Sequence, residues 1–168
     1  MFQIRNIKIS LKLDCLDYSL LKGFLKNVSV YNNFLVLKDK YTYILFKPKD
    51  KESISHLNIT KIPNFSAINE SVENGIEFFG GKIIPDSIKI DNITATHYLN
   101  RPVSLSKLYS EFSSKVKLGY NNDVFPGLHY KTSQGTAVIF HSGKIIIVGC
   151  KTEEQILKII KTVEKWIA

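Results

Sequence analysis

The chain has 168 residues, 44% of them hydrophobic and 23% charged, enough for one well-packed domain or two fused half-domains. Its longest apolar run, residues 144–150, has the length of a strand and not of a membrane-spanning helix, and the N-terminus lacks the basic-then-apolar pattern of a secretory signal. Two cysteines, Cys15 and Cys150, without CxxC spacing speak against a disulfide scaffold or a zinc site, and the net charge of +8 divides evenly, +4 on each side of residue 84, as suits a protein lying along a polyanion.

In chain order, residues 4–10 (Ile-Arg-Asn-Ile-Lys-Ile-Ser) have a strand pattern, and residues 17–26 place Leu20, Leu21, Phe24 and Leu25 at helical spacing. Strands rich in β-branched and aromatic residues follow at 28–31, 34–38, 41–46 and 56–60, with a tight turn at Asp39-Lys40. Pro63 starts a helix over 64–79, carrying Phe65, Ile68, Val72 and Ile76 on one stripe and ending at Gly80-Gly81. Residues 82–87 link to a second half that repeats the order. Residues 90–96 (Ile-Asp-Asn-Ile-Thr-Ala-Thr) match the first strand, with Asn92 where Asn6 stands. A helix over 104–112 shares Ser-Leu-x-Lys with residues 19–22, and strands are expected at 115–118, 124–131, 136–140 and 144–148. A capping box, Thr152-Glu153-Glu154-Gln155, opens a last helix to 167 with Ile156, Ile159, Ile160, Val163 and Ile167 on one face. Two units of strand, helix, four strands and helix would form a ten-stranded antiparallel sheet with all helices on one face. The other face would be left open for a ligand.

The second half carries three ordered motifs: Phe125-Pro126-Gly127-Leu128-His129-Tyr130-Lys131, Val138-Ile139-Phe140-His141-Ser142-Gly143-Lys144 and Gly149-Cys150-Lys151. These resemble the F-P-G-L-x-Y-R, L-I-F-x-S-G-K and G-A-K of the TATA-binding-protein family, strongly over residues 88–168 and weakly over 3–80. The resemblance implies an α+β fold. Two pseudo-symmetric repeats, residues 1–82 (divergent) and 88–168, would form a single saddle with a curved antiparallel ten-stranded sheet and helices on its convex face. It implies a promoter-recognition transcription initiation factor that binds the minor groove of A·T-rich, TATA-like DNA and kinks it, with no cofactor, no membrane and no small-molecule substrate. It would act in a nucleus, a viral factory or an archaeal cytoplasm.

Residue roles follow. Phe125 with Phe140, and Phe34 with Phe46 at corresponding places in the first half, are expected to be the wedges inserted between base steps. Asn6 and Asn92 have the amide chemistry to meet the minor-groove acceptors of A·T pairs. Thr94 and Thr96 (one of which should face the DNA), Val138, Ile146 and Val148 would form the apolar floor. Lys131 and Lys144 stand at phosphate-contacting positions, with Lys38 or Lys40 serving in the first half. Asp123 lies in the loop that contacts a B-type general transcription initiation factor. The first half departs from the family pattern. Its S-G-K turn reads Lys47-Pro48-Lys49-Asp50, no clear G-A-K stands near Thr60-Lys61-Ile62, and Glu70, Glu73 and Glu77 make its last helix acidic. No catalytic or metal-binding spacing appears among the four histidines, so an enzyme is not expected. The alternatives are a module of the same fold with general nucleic-acid binding, or a protein-binding paralogue.

Overall fold

The computed structural model describes residues 1–14, 16–21, 26–49 and 53–168. Cys15, Asp50 and, from the expected first helix, Lys22, Phe24 and Leu25 lie outside the described residues. The chain divides into two compact units, Asn6–Asp91 (N-terminal) and Asn92–Ala168 with Met1–Arg5 (C-terminal).

The N-terminal unit contains β1 (Gln3–Asp14, from Asn6 on), a short helix α1 (Tyr18–Leu21), β2 (Val28–Val30), β3 (Phe34–Lys38), β4 (Thr42–Phe46) and β5 (Ser55–Ile62). These strands pair antiparallel in the order β2-β3-β4-β5-β1. Period-two alternation sends Ile7, Ile9, Leu11 and Leu13 of β1 inward, joined by Leu35, Leu37, Tyr43, Leu45, Leu57 and Ile59. Helix α2 (Ile68–Phe79) covers that face. Its Val72 and Phe79 are buried, and the Tyr43 hydroxyl donates to the Ser71 carbonyl at 3.0 Å. The segment expected only to link the halves adds a two-residue strand, β6 (Lys82–Ile83), beside β1.

The C-terminal unit contains β7 (Lys89–Tyr98, from Asn92 on), α3 (Leu105–Phe112), β8 (Leu118–Asn121), β9 (Phe125–Lys131), β10 (Thr136–Phe140), β11 (Lys144–Cys150) and α4 (Glu153–Ile167), with sheet order β7-β11-β10-β9-β8. Here Ile93, Ala95, Leu128, Ala137, Ile139, Ile145 and Ile147 point to the core. The α4 stripe of Ile156, Ile159, Ile160 and Val163 meets them. A variant of the capping box forms: Thr152 Oγ1 accepts from the Gln155 N–H at 3.2 Å, and Gln155 Oε1 accepts from the N–H of Lys151, the residue before the cap, at 2.7 Å.

The class is α+β, as the repeat pattern implies. One expected strand is displaced. Residues 115–117 precede the strand because the Lys115 and Val116 N–H groups still bond to the Phe112 carbonyl; the Lys117 carbonyl accepts from the Lys131 N–H, and the strand begins at Leu118. In each unit the residues of opposite parity to the core line a sheet face that the helices leave bare.

Candidate nucleic-acid interface

Each bare face is organised around a β-bulge, and each bulge holds an asparagine. In the C-terminal unit the register moves from Ile147↔Ala95 to Cys150↔Ile93, so Val148 and Gly149 together oppose Thr94. Gly149 has φ 88, a left-handed conformation that glycine adopts without a Cβ clash. Its N–H donates to Asn92 Oδ1 at 2.5 Å. In the N-terminal unit the register moves from Ile9↔Ile59 to Ile7↔Ile62, and Thr60 and Lys61 oppose Lys8. Lys61 has φ 64, and its N–H donates to Asn6 Oδ1 at 2.7 Å. Lys61 therefore occupies the place of Gly149, the counterpart of the G-A-K glycine that the sequence pattern did not reveal. A lysine there hides the motif because the conformation persists where the residue type does not. Both carboxamide oxygens are thus spent on bulge N–H groups. Among the described residues the Nδ2 groups keep only long contacts, Asn6 to Thr60 Oγ1 at 3.3 Å and Asn92 to Thr94 Oγ1 at 3.5 Å. Each asparagine is fixed as a donor.

Cross-strand register then aligns the two floors. The C-terminal unit has the row His129–Val138–Ile146–Thr96, flanked by Lys131–Thr136–Val148. Because side chains two apart on a strand share a face, both Thr94 and Thr96 lie on the same side of the sheet as Asn92. Thr96 is only 5% exposed, and the Arg5 guanidinium donates to its hydroxyl at 3.4 Å. The matching row of the N-terminal unit is Val36–Ile44–Asn58–Ser10, flanked by Lys38–Thr42–Thr60. Thr60, beside Asn6, was not singled out by sequence.

The aromatic pairs sit one row further along. Phe125 and Phe140 have ring centroids 6.0 Å apart, and Phe125 is 40% exposed. Phe34 and Phe46 are 5.8 Å apart. Their positions do not correspond as expected. Phe46 pairs directly with Phe34, whereas Phe140 pairs with Gly127, and Phe125 lies two residues earlier. The physical reason is space. A Cβ on Gly127 would come within 2.7 Å of Phe125 Cε1 and of Val138 Cγ1, so the glycine makes room for the Phe125 ring. In the N-terminal unit Phe34 fills that place itself, and Tyr31, 51% exposed, stacks on it at 4.6 Å. Tyr31, expected at the end of the strand 28–31 and found just beyond it, completes this cluster.

Among the cations, Lys38 and Lys131 hold equivalent register positions on the bare faces, and Lys144 pairs with Tyr98 on the same side. Lys40 does not join them. Its Nζ is 2.6 Å from Glu70 on α2, at the helix-covered side. The Lys40 and Tyr41 hydrogen bonds hold the Glu70 carboxyl below its ordinary range, and Glu70 in turn holds the Lys40 ammonium above its own. Asp123 is exposed in the turn before β9, and its neighbour Val124 is 80% exposed.

Residues 87–168 match the family model described as transcription factor TFIID, or TATA-binding protein. The TATA-box-binding protein of Aeropyrum pernix is 33% identical over 101 residues, covering 59% of this chain and 46% of that protein. TATA-box-binding protein 2 of Methanosarcina acetivorans is 33% identical over 108 residues (61% and 56%), and the Dictyostelium discoideum protein 35% over 77 (45% and 37%). The chain thus spans about half the length of the curated relatives it matches. The solved structure of Methanococcus jannaschii TBP superposes with a TM-score of 0.83 at 23% identity, covering 99% of this chain and 97% of that one, and establishes the fold.

Proposed function

We propose that the chain is a member of the TATA-binding-protein family, a reading supported by the match of residues 87–168 and by the shared fold, and that it is a promoter-recognition transcription initiation factor that grips the minor groove of A·T-rich DNA and kinks it. The observation that carries this reading is the pair of bulge-fixed asparagines, each with its oxygen spent and its NH2 turned into the available donor. A·T pairs present only acceptors in the minor groove, adenine N3 and thymine O2, so a donor fixed on a bare sheet face complements them. Around Asn92 the floor of Val138, Ile146 and Val148 offers apolar contact to sugar edges. Phe125 with Phe140, and Phe34 with Phe46 and Tyr31, are the wedges. Unstacking a base step costs on the order of a few kcal/mol and is offset by the larger contact surface of bent DNA. Lys38, Lys131 and Lys144 neutralise phosphates, Lys38 taking the role expected of Lys40. Asp123 and Val124 form the contact for a B-type initiation factor.

The test replaces A·T by I·C pairs in a bound duplex, which keeps the minor-groove face and changes the major-groove one. Affinity and bend angle are expected to survive. Loss of binding on that exchange would place recognition in the major groove and overturn the reading.

A further inference from the structure

The floor of the N-terminal unit differs in chemistry from that of the C-terminal unit at matched register. Where Ile146 and Thr96 stand side by side in one, Asn58 and Ser10 stand in the other. Asn58 is half-buried, and its carboxamide has no hydrogen-bond partner among the described residues. The Ser10 hydroxyl donates to Asp91 Oδ1 at 3.0 Å, which holds a carboxylate at the same place. Together with Phe46, His56, Lys47 and Lys49, these groups line an open depression of about 850 Å³ on this face. A half-buried amide without a partner loses its hydration unrewarded, and a carboxylate turned towards a polyanion is repelled. The Asn58 NH2 can meet any acceptor, but its oxygen and the Asp91 carboxylate are satisfied only by a partner that supplies hydrogen-bond donors. The minor groove contains one such donor, the N2 amino group of guanine.

Resting on the minor-groove reading above, we propose that Asn58 and Asp91 accept a guanine amino group, so that the base pairs lying on the N-terminal unit include a recognised G·C pair while those on the C-terminal unit are A·T. The remaining lysines of the depression, Lys47 and Lys49, offset the carboxylate's charge against the phosphates. The target would then be asymmetric in sequence, and this asymmetry would orient the protein on it.

The experiment walks a single G·C pair, and separately a single I·C pair, through an A·T duplex and measures affinity at each position. Inosine differs from guanine only by lacking the amino group. For the parent protein at least one position should bind G·C as tightly as, or tighter than, I·C. Asn58→Val, which restores an apolar floor on a residue suited to a strand, should reverse that preference by on the order of tenfold. Its melting temperature should stay near the parent's, and its affinity for the all-A·T duplex, measured alongside, is the reference for that ratio. Asp91→Asn is the second variant, keeping an acceptor without the charge. It should retain the G·C preference and bind all duplexes more tightly. Rejection of G·C relative to I·C at every position, with A·T and I·C duplexes bound and bent, overturns this inference alone. A parent that binds none of the duplexes overturns the minor-groove reading and this inference with it.

Discussion

Replacing Gly127 by alanine tests the C-terminal wedge without removing a single aromatic atom. The added methyl would lie 2.7 Å from both Phe125 Cε1 and Val138 Cγ1, and 3.3 Å from Phe140 Cε1. Val138 is β-branched and stands in a central strand, so it yields little. Phe125 is 40% exposed and is the group that moves, swinging outward and opening the pair. Overpacking of this kind costs roughly 1–3 kcal/mol, against a gain of about 0.5–1 kcal/mol from replacing glycine within a strand. The net loss is about 1–2 kcal/mol, a fall of several degrees in melting temperature for a chain of this size. The effect on DNA should be larger than the effect on folding. A displaced ring no longer enters the base step, so energy transfer between labelled duplex ends should report the loss of one kink, with affinity down on the order of tenfold. Gly135→Ala is the control. Its Cβ would meet the Val148 backbone oxygen at 2.8 Å and Cys150 Sγ at 2.7 Å, where backbone must shift. That variant should melt lower than Gly127→Ala, yet keep the kink of the Phe125–Phe140 pair whenever it is folded. Full bending by Gly127→Ala at a lowered melting temperature, with the ring displaced, would show that the Phe125–Phe140 arrangement is not the wedge.

Two further outcomes follow from the charged groups. Changing Lys131 and Lys144 to alanine should weaken binding to all duplexes alike and lower the slope of log affinity against log salt by about 0.9 for each phosphate that is no longer neutralised; an unchanged slope would mean that neither lysine reaches a phosphate. Asp123→Arg, at an exposed turn outside the sheet faces, should leave DNA affinity unaltered and block recruitment of a B-type initiation factor; equal recruitment by variant and parent would remove this turn from the interface.

How much of the protein was legible in its sequence depended on which interactions are local. Strand alternation, the α4 stripe and the Thr152–Gln155 capping box are written at spacings of two to four residues, and the structure reproduces them. The Phe-Pro-Gly-Leu, Ile-Phe-x-Ser-Gly-Lys and Gly-Cys-Lys motifs were equally readable, because residue type and backbone requirement coincide in them. Non-local partners were not readable. That Lys40 turns to Glu70, thirty positions away, is decided by α2 lying against the sheet, which leaves Lys38 on the bare face. That Phe34 opposes Phe46 while Phe125 stands two residues off the Phe140 pair is decided by hairpin register. The left-handed Lys61 was invisible for a related reason. Its conformation is imposed by the bulge against β1 and the Asn6 side-chain carbonyl that caps it, and no local preference of lysine announces it. The amino-acid sequence by itself determined the elements and the motifs on which the match over residues 87–168 rests. Only the pairing of strands, a matter of long-range hydrogen bonds and packing, decided which side chains share a face and so what that face can bind.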